Sequence, residues 1–225
     1  MATALDLRWI GPALDGNRFV VVAPHPDDEV LMAGGAMRWA QNLGRAVLIL
    51  AVSDGEASHR RSARVDPEQL RTRRATERAE ALCRLGLTDV EVQCLRVPDG
   101  DCASSVEDIA TVLRGQLRPS DAVVGPAAED RHPDHVAVAR AMRMASGGRR
   151  WWEAPTWALV HGTDPPPTCQ LDLGRETWRA KIHAMAAFES QLVALGPDEC
   201  DGPVVHAHEL RAMLRPVETF AAKTA

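Results

Sequence analysis

Residues 19–35 read FVVVAPHPDDEVLMAGG, and no other stretch restricts the possible folds of this chain as much. Residues 19–23 are a run of β-branched and apolar residues, long enough for one strand buried on both faces and far too short to span a membrane. Where the run ends, His25, Asp27, Asp28 and Glu29 crowd one histidine and three carboxylates into five residues. Such a concentration is unfavourable unless something cationic balances it. Pro24 and Pro26 stiffen the turn and remove two backbone donors, so these side chains leave the strand tip from a restricted backbone. Apolar residues then return at helical spacing, at Val30, Leu31, Met37 and Leu43, and Gly34 and Gly35 allow close approach to a neighbouring element. The stretch predicts a strand, a loop carrying chemistry, and a helix.

The pattern repeats along the chain. Strands are expected at 45–53, 90–97, 121–124 and 154–160, with helices at 67–86, 106–117, 136–145 and 176–193. Residues 163–169, TDPPPTC, read as a proline-rich connector, and the tail from 202 onward has little periodicity. Alternation of this kind predicts one α/β domain over 1–225, Rossmann-like, with a mostly parallel sheet and helices on both faces. In that architecture ligands gather beyond the carboxyl ends of the strands. Those ends carry HPDDE, SDGE, PDGD, EDRHPDH and HG, so one rim collects most of the reactive side chains.

Several function classes are disfavoured. A formal net charge of -5 argues against nucleic acid or an anionic membrane as partner, and no run of 18 apolar residues marks a membrane span. The start, MATALDLRWIG, lacks a basic region followed by an apolar core, so a cytoplasmic protein is expected. Five scattered cysteines form no C-x-x-C pair and read as reduced thiols. The first strand-to-helix turn has no G-x-G-x-x-G or P-loop, its carboxylates would repel phosphate, and no G-x-S-x-G elbow occurs. A homo-oligomer is compatible with this composition.

Two clusters share an i, i+3 spacing of histidine with a second ligand, His25 with Asp28 and His132 with His135. Three nitrogen or oxygen ligands and one open position is the pattern of catalytic zinc, and His25, Asp28 and His135 are assigned as the ligands. A Zn²⁺ site with one carboxylate keeps positive charge, which brings a bound water's pKa to about 7 and polarises a carbonyl. Iron(II) suits a similar ligand set. Asp27 is placed to take a proton from water, and His132 to give one to a leaving amine or to stabilise an oxyanion. Asp134, or Asp130 just upstream, can hold an imidazole in the needed tautomer.

The motif PHPDDE, followed much later by HPDH, resembles the LmbE/PIG-L family of zinc-dependent de-N-acetylases. SDGEASH at 53–59, Arg74-x-x-Glu77 with Leu85-Gly86, Asp99-Gly100, and FESQ at 188–191 extend the similarity over most of residues 19–192. The resemblance implies a Rossmann-like fold and hydrolysis of an acetamido or related amide on an amino-sugar-containing small molecule. It supports the same ligands and Asp27 as base, and places Arg74 and Asp99 where family members contact substrate. Some members use a tyrosine to polarise the carbonyl, and this chain has none. The alternatives are zinc amidase chemistry on a thiol conjugate or acylated natural product, and a non-catalytic Rossmann-like binding module.

Other residues have plainer readings. Glu29 is expected as a first-turn helix residue favoured by the dipole. Arg60, Arg61 and Arg64 read as a solvated loop face with one of them able to reach substrate, and His206 and His208 as neighbours on a surface strand. Trp151 and Trp152 are expected to pack under a loop, and His161 to sit at the end of a strand.

Overall fold

The computed structural model describes residues 17–224, and the segment from which a cytoplasmic location was inferred lies outside them. In chain order the elements are β1 (Arg18–Ala23), α1 (Asp28–Asn42), β2 (Ala46–Ala51), α2 (Pro67–Arg84), β3 (Val90–Cys94), α3 (Val106–Gln116), β4 (Asp121–Pro126) and α4 (Pro133–Ala145). There follow β5 (Trp151–Ala154), α5 (Trp157–His161), β6 (Cys169–Asp172), α6 (Gly174–Met185), α7 (Glu189–Leu192), α8 (Ala207–Met213) and β7 (Val217–Lys223). The strands form one sheet in the order β3-β2-β1-β4-β5-β7-β6. The first five are parallel; β7 runs antiparallel to both β5 and β6. The fold is therefore the expected α/β one, a mostly parallel sheet covered by helices.

Alternate residues of β1 and β2 serve two cores. Phe19, Val21, Ala23, Val47 and Ile49 face one side, where Met37, Leu85 and Phe188 pack. Val20, Val22, Leu48 and Leu50 face the other, against Ile109, Leu113 and Met142. Burial on both faces is why these strands read as unbroken apolar runs.

Strand order brings the two motifs together. The chain leaves β1 through α1 toward β2, then returns through α3 to place β4 on the opposite side of β1, pairing Val20 with Val123. The carboxyl ends of β1 and β4 flank the point where strand order reverses, which is where an open α/β sheet leaves a crevice. His25 follows β1, and His132 caps α4 just after β4.

Helix α1 is interrupted at Ala33, whose φ is -147°. The N–H groups of Gly35 and Ala36 donate to the Glu218 carboxylate at 2.8 and 2.9 Å, and Lys181 Nζ donates to the Leu31 carbonyl at 2.8 Å and to Glu218 at 2.6 Å. A buried ion pair from α6 and β7 thus replaces the helix bond that Leu31 and Gly35 would otherwise share. At Gly35 a Cβ would meet the tip of the Leu173 side chain, which would have to shift.

Several expectations are corrected. Residues 154–160 are not a strand: β5 ends at Ala154, and α5 begins after Pro155 because the Asp130 carboxylate takes the N–H groups of Thr156 and Ala158. His161 consequently ends a helix and is exposed. The predicted helix 176–193 is two, broken where Phe188 turns into the core and Ser190 N–H donates to Glu77 at 2.8 Å. His206 caps α8 and His208 lies within it, their rings stacked 6.0 Å apart, so they are not on a strand. Trp151 and Trp152 lie in β5, not under a loop. The connector gives way to β6, and the aperiodic tail contains α8 and β7. No described helix is long and apolar enough to cross a membrane.

Candidate metal centre

The loop after β1 is held in an unusual shape. Ser53, just beyond β2, donates both its N–H and its hydroxyl to the Pro24 carbonyl, at 3.0 and 2.9 Å. His25 N–H donates to Asp28 Oδ2 at 3.0 Å, closing a tight turn. Asp27 has φ 127°, a region that disfavours any side chain, at an expense of about 1–3 kcal/mol. Its carbonyl starts α1 by accepting from Val30 and Leu31, both at 3.0 Å. Arg74 of α2 holds it there, donating to the carbonyls of Gly55 and Pro26 and lying 3.3 Å from Asp27 Oδ2. The strained backbone aims the Asp27 carboxylate into the crevice, where it lines a cavity of about 320 Å³ together with His25, Asp28, Arg74, Asp99 and His132.

The hydrogen bonds on the far ring atoms define which nitrogens carry lone pairs. His135 Nδ1–H donates to Asp130 Oδ2 at 2.9 Å, both groups fully buried, and Asp130 is itself held by the Thr156 hydroxyl at 2.8 Å. His25 Nε2–H donates to Asp134 Oδ2 at 3.0 Å, with Asp99 Oδ1 3.3 Å away. Asp134 is fixed in turn by the N–H groups of Gly100 and Cys102, at 2.8 and 3.2 Å. Asp130 and Asp134 therefore each orient one imidazole. The ring nitrogens left over, His135 Nε2 and His25 Nδ1, face Asp28 Oδ2 at 3.1 and 3.2 Å.

Two ring nitrogens and one carboxylate oxygen converge on one point. His135 Nε2 is buried and makes no hydrogen bond, although a carboxylate oxygen lies beside it. A neutral imidazole lone pair against a carboxylate oxygen is repulsive unless a cation or a proton lies between them. The donor set of two imidazoles and one carboxylate is the set expected of a catalytic metal with an open position. His132 adds a third imidazole: one ring nitrogen from each of His25, His132 and His135 lies within 4.8 Å of the others.

Charge states in the protein without metal follow from the same contacts. Burial alone would lower His25, but hydrogen bonds to Asp134, Asp28 and Asp99 outweigh it and raise its pKa well above the usual imidazole value. His135 rises to about 9, burial being overcome by the charge of Asp28, 3.1 Å from Nε2, and by the bond from Nδ1 to Asp130. Asp28 is held far below the ordinary carboxylate range because the two imidazoles outweigh its burial. Asp27 is pushed up to about 7 by burial, partly opposed by Arg74. His132 drops to about 4 through burial and the neighbouring His25 and His135, so it is neutral, with Nδ1 accepting from Asp134 N–H at 3.3 Å and its proton on Nε2.

The remaining predicted residues are found as follows. Arg74 and Asp99 both line the cavity. Glu29 is in the first turn of α1 but is wholly buried and paired with Arg78 at 3.0 Å, which the dipole argument does not anticipate. Trp157, which the sequence does not mark out, lines the cavity with its ring near-parallel to His132 at 6.4 Å, and Leu31, Val204 and Val205 complete the apolar wall. Only the break after Pro155 hints in the sequence that Trp157 leaves the sheet.

Comparison with known proteins gives consistent results. The profile of the PIG-L family, GlcNAc-PI de-N-acetylase, matches residues 20–146. The conserved protein TT1542 from Thermus thermophilus is 30% identical, with a TM-score of 0.58 over 79% of this chain and 80% of that one. The zinc-inhibited form of teicoplanin deacetylase Orf2 has a TM-score of 0.65 at 20% identity, covering 81% of this chain and 88% of its own. N,N'-diacetylchitobiose deacetylase from Pyrococcus horikoshii has a TM-score of 0.66 at 18% identity, covering 98% of this chain and 88% of its own. No curated protein matches the sequence.

Proposed function

Because this chain belongs to the PIG-L family of de-N-acetylases, whose profile spans both histidine motifs, we propose that it removes the acetyl group from an N-acetylated amino-sugar derivative with the help of zinc. His25, Asp28 and His135 would hold the metal, which when bound supplies Lewis acidity and a more acidic water. The observation that carries this reading is the unpartnered, buried Nε2 of His135 aimed at Asp28 beside the lone pair of His25.

The chain's own residues do the proton work. Asp27, aimed into the cavity by its strained backbone, takes the proton from the attacking water and passes it to the departing amine. A carboxyl whose pKa lies near neutrality is suited to both transfers. His132 presents its Nε2–H as a neutral donor and supports the negative charge that develops on the carbonyl oxygen, the role for which the chain offers no tyrosine. Trp157 lies near-parallel to His132, its ring centroid 6.4 Å away. Water and amide are converted to free amine and acetate, with no oxidant or further cofactor.

Acetate release from a panel of N-acetylated sugars and glycoconjugates, with and without a chelator, tests the proposal. Release that stops on chelation and returns with zinc is expected. Undiminished release by thoroughly metal-free protein would refute the zinc assignment, and no release from any N-acetylated sugar would refute the substrate class.

A further inference from the structure

The break in α1 at Ala33, with φ -147° and ψ 21°, separates one turn, residues 28–32, from the rest of the helix. That turn carries much of the candidate centre. Asp28 faces the rings of His25 and His135, Glu29 receives Arg78, and Leu31 forms part of the cavity wall. Its leading end is fixed from nearby, by the Asp27 carbonyl accepting from Val30 and Leu31 and by Arg74 on the Pro26 carbonyl. Its trailing end is fixed by α6 and β7.

In an unbroken helix the Leu31 carbonyl would accept from Gly35 N–H, and the Met32 carbonyl from Ala36 N–H. Here both donors go to the Glu218 carboxylate, at 2.8 and 2.9 Å, and the Leu31 carbonyl goes to Lys181 Nζ at 2.8 Å. Each member of the pair thus occupies one side of the missing helix bond, and the 2.6 Å contact between them holds the two sides apart. Lys181 is 1% and Glu218 3% exposed. A buried ion pair is a weak source of stability, since apolar side chains of similar volume often serve as well or better. What this pair supplies that apolar residues cannot is the break itself.

We propose that Lys181 and Glu218 are positioning residues for the metal centre: by keeping α1 broken at Ala33 they set the direction of the turn that presents Asp28 to the two imidazoles and Leu31 to the cavity. The consequence for turnover rests on the zinc hydrolase reading given above; the consequence for the backbone does not. Without the pair, Gly35 N–H returns to the Leu31 carbonyl, α1 becomes continuous, and its first turn swings onto the axis of the remainder, taking Asp28 with it.

The test is the double variant Lys181→Met/Glu218→Met, which leaves no polar side-chain atom to hold the break. Its zinc affinity, from chelator competition, should fall about tenfold or more. At saturating zinc, kcat should fall by about 10–10²-fold with little change in KM, because misplaced groups act on the chemical step. Lys181→Met/Glu218→Gln keeps one acceptor for the two N–H groups and should show smaller losses of the same kind, which decides the matter if the first variant does not fold. Arg18 and Asp121 are a second buried pair, 2.7 Å apart, joining the first residues of β1 and β4 at the end of the sheet opposite the crevice. Arg18→Met/Asp121→Asn should lower the urea midpoint and leave zinc affinity and kcat within about twofold. Crystal structures of metal-free parent and double variant should show Gly35 N–H bonded to the Leu31 carbonyl only in the variant, with Asp28 drawn away from His135. Parent-like zinc affinity and kcat in a folded double variant, an α1 still broken at Ala33, or equal losses in the Arg18/Asp121 variant would each overturn the proposal. Should the parent release no acetate, the hydrolase reading falls, and zinc affinity and the backbone of α1 still decide the positioning.

Discussion

Replacing Asp130 by asparagine tests the metal centre at a residue that never touches the metal. Asp130 is 1% exposed; one oxygen takes the His135 Nδ1–H at 2.9 Å and the Thr156 hydroxyl at 2.8 Å, the other the Ala158 N–H at 2.8 Å and the Thr156 N–H at 3.2 Å. An amide has one such oxygen. If it stays on the backbone N–H groups, its NH₂ faces the His135 Nδ1–H, donor against donor. The ring then relieves the clash by moving its proton to Nε2, the atom assigned to zinc. Coordination must displace that proton and proceeds without the negative charge behind the ring. Loss of such a supporting hydrogen bond weakens metal binding by about 10–100-fold, or about 1.4–2.8 kcal/mol. Competition with a chromophoric chelator measures this directly, and urea unfolding of the metal-free variant checks that the fold persists. A zinc affinity within about twofold of the parent would show that the Asp130 contact does not set the His135 tautomer.

Other outcomes follow from the same geometry. Asp27→Asn should keep its zinc by elemental analysis but lose about 10²–10⁴ in kcat, as expected of a removed general base; an unchanged rate of acetate release rules the role out. His135→Ala should lose stoichiometric zinc, and full retention would move the ligand assignment to His132. Zinc affinity should rise with pH, approaching a hundredfold per unit where His25 and His135 both carry protons, since each must lose one to bind; a flat profile by chelator competition would contradict this. The folded pKa of His135 lies above its unfolded value, so the stability it contributes to metal-free protein is complete below about 6.5 and lost as pH rises toward about 9, a decline that urea titrations should resolve. Lys181→Met strands the buried Glu218 carboxylate and should cost about 3–5 kcal/mol, while Lys181→Met/Glu218→Gln should recover most of that, read from urea midpoints.

What could be read from the sequence divides along physical lines. Strands β1, β2 and β4 are buried on both faces, so their apolar runs are continuous and their ends, with HPDDE and HPDH attached, stand out. That the two motifs meet follows from the strand order, which places β4 beside β1 on the side away from β2, and no local pattern in the sequence dictates that order. Strand β7 was invisible because it contains Glu218, a charge buried only because Lys181 reaches it from α6. Helix α5 was mistaken for a strand because its first N–H groups are satisfied by Asp130, well upstream in the chain. Which of Arg60, Arg61 and Arg64 stays unneutralised depends on Asp198 and Asp201, and no local pattern announces a partner so distant.

Three consecutive acids, Asp27, Asp28 and Glu29, are 6%, 3% and 0% exposed, and any of them could ligate a metal on sequence grounds alone. Helix α2 decides between them. Arg74 and Arg78 stand one turn apart on one of its faces and reach the two outer acids, Arg74 meeting Asp27 at 3.3 Å and Arg78 meeting Glu29 at 3.0 Å. Glu29 is withdrawn from the crevice by its guanidinium, and Asp27 is tethered at the cavity edge, a carboxylate poised for protons. Asp28 in the middle meets no arginine, and its ionisable partners are the two imidazoles. While those rings hold protons they neutralise it; once they offer lone pairs, no described side chain does, which is the place the proposed metal would take. On the proposed assignment, the choice of Asp28 as the metal-binding acid is written less in the acidic run than in the four-residue spacing of two arginines some fifty positions away.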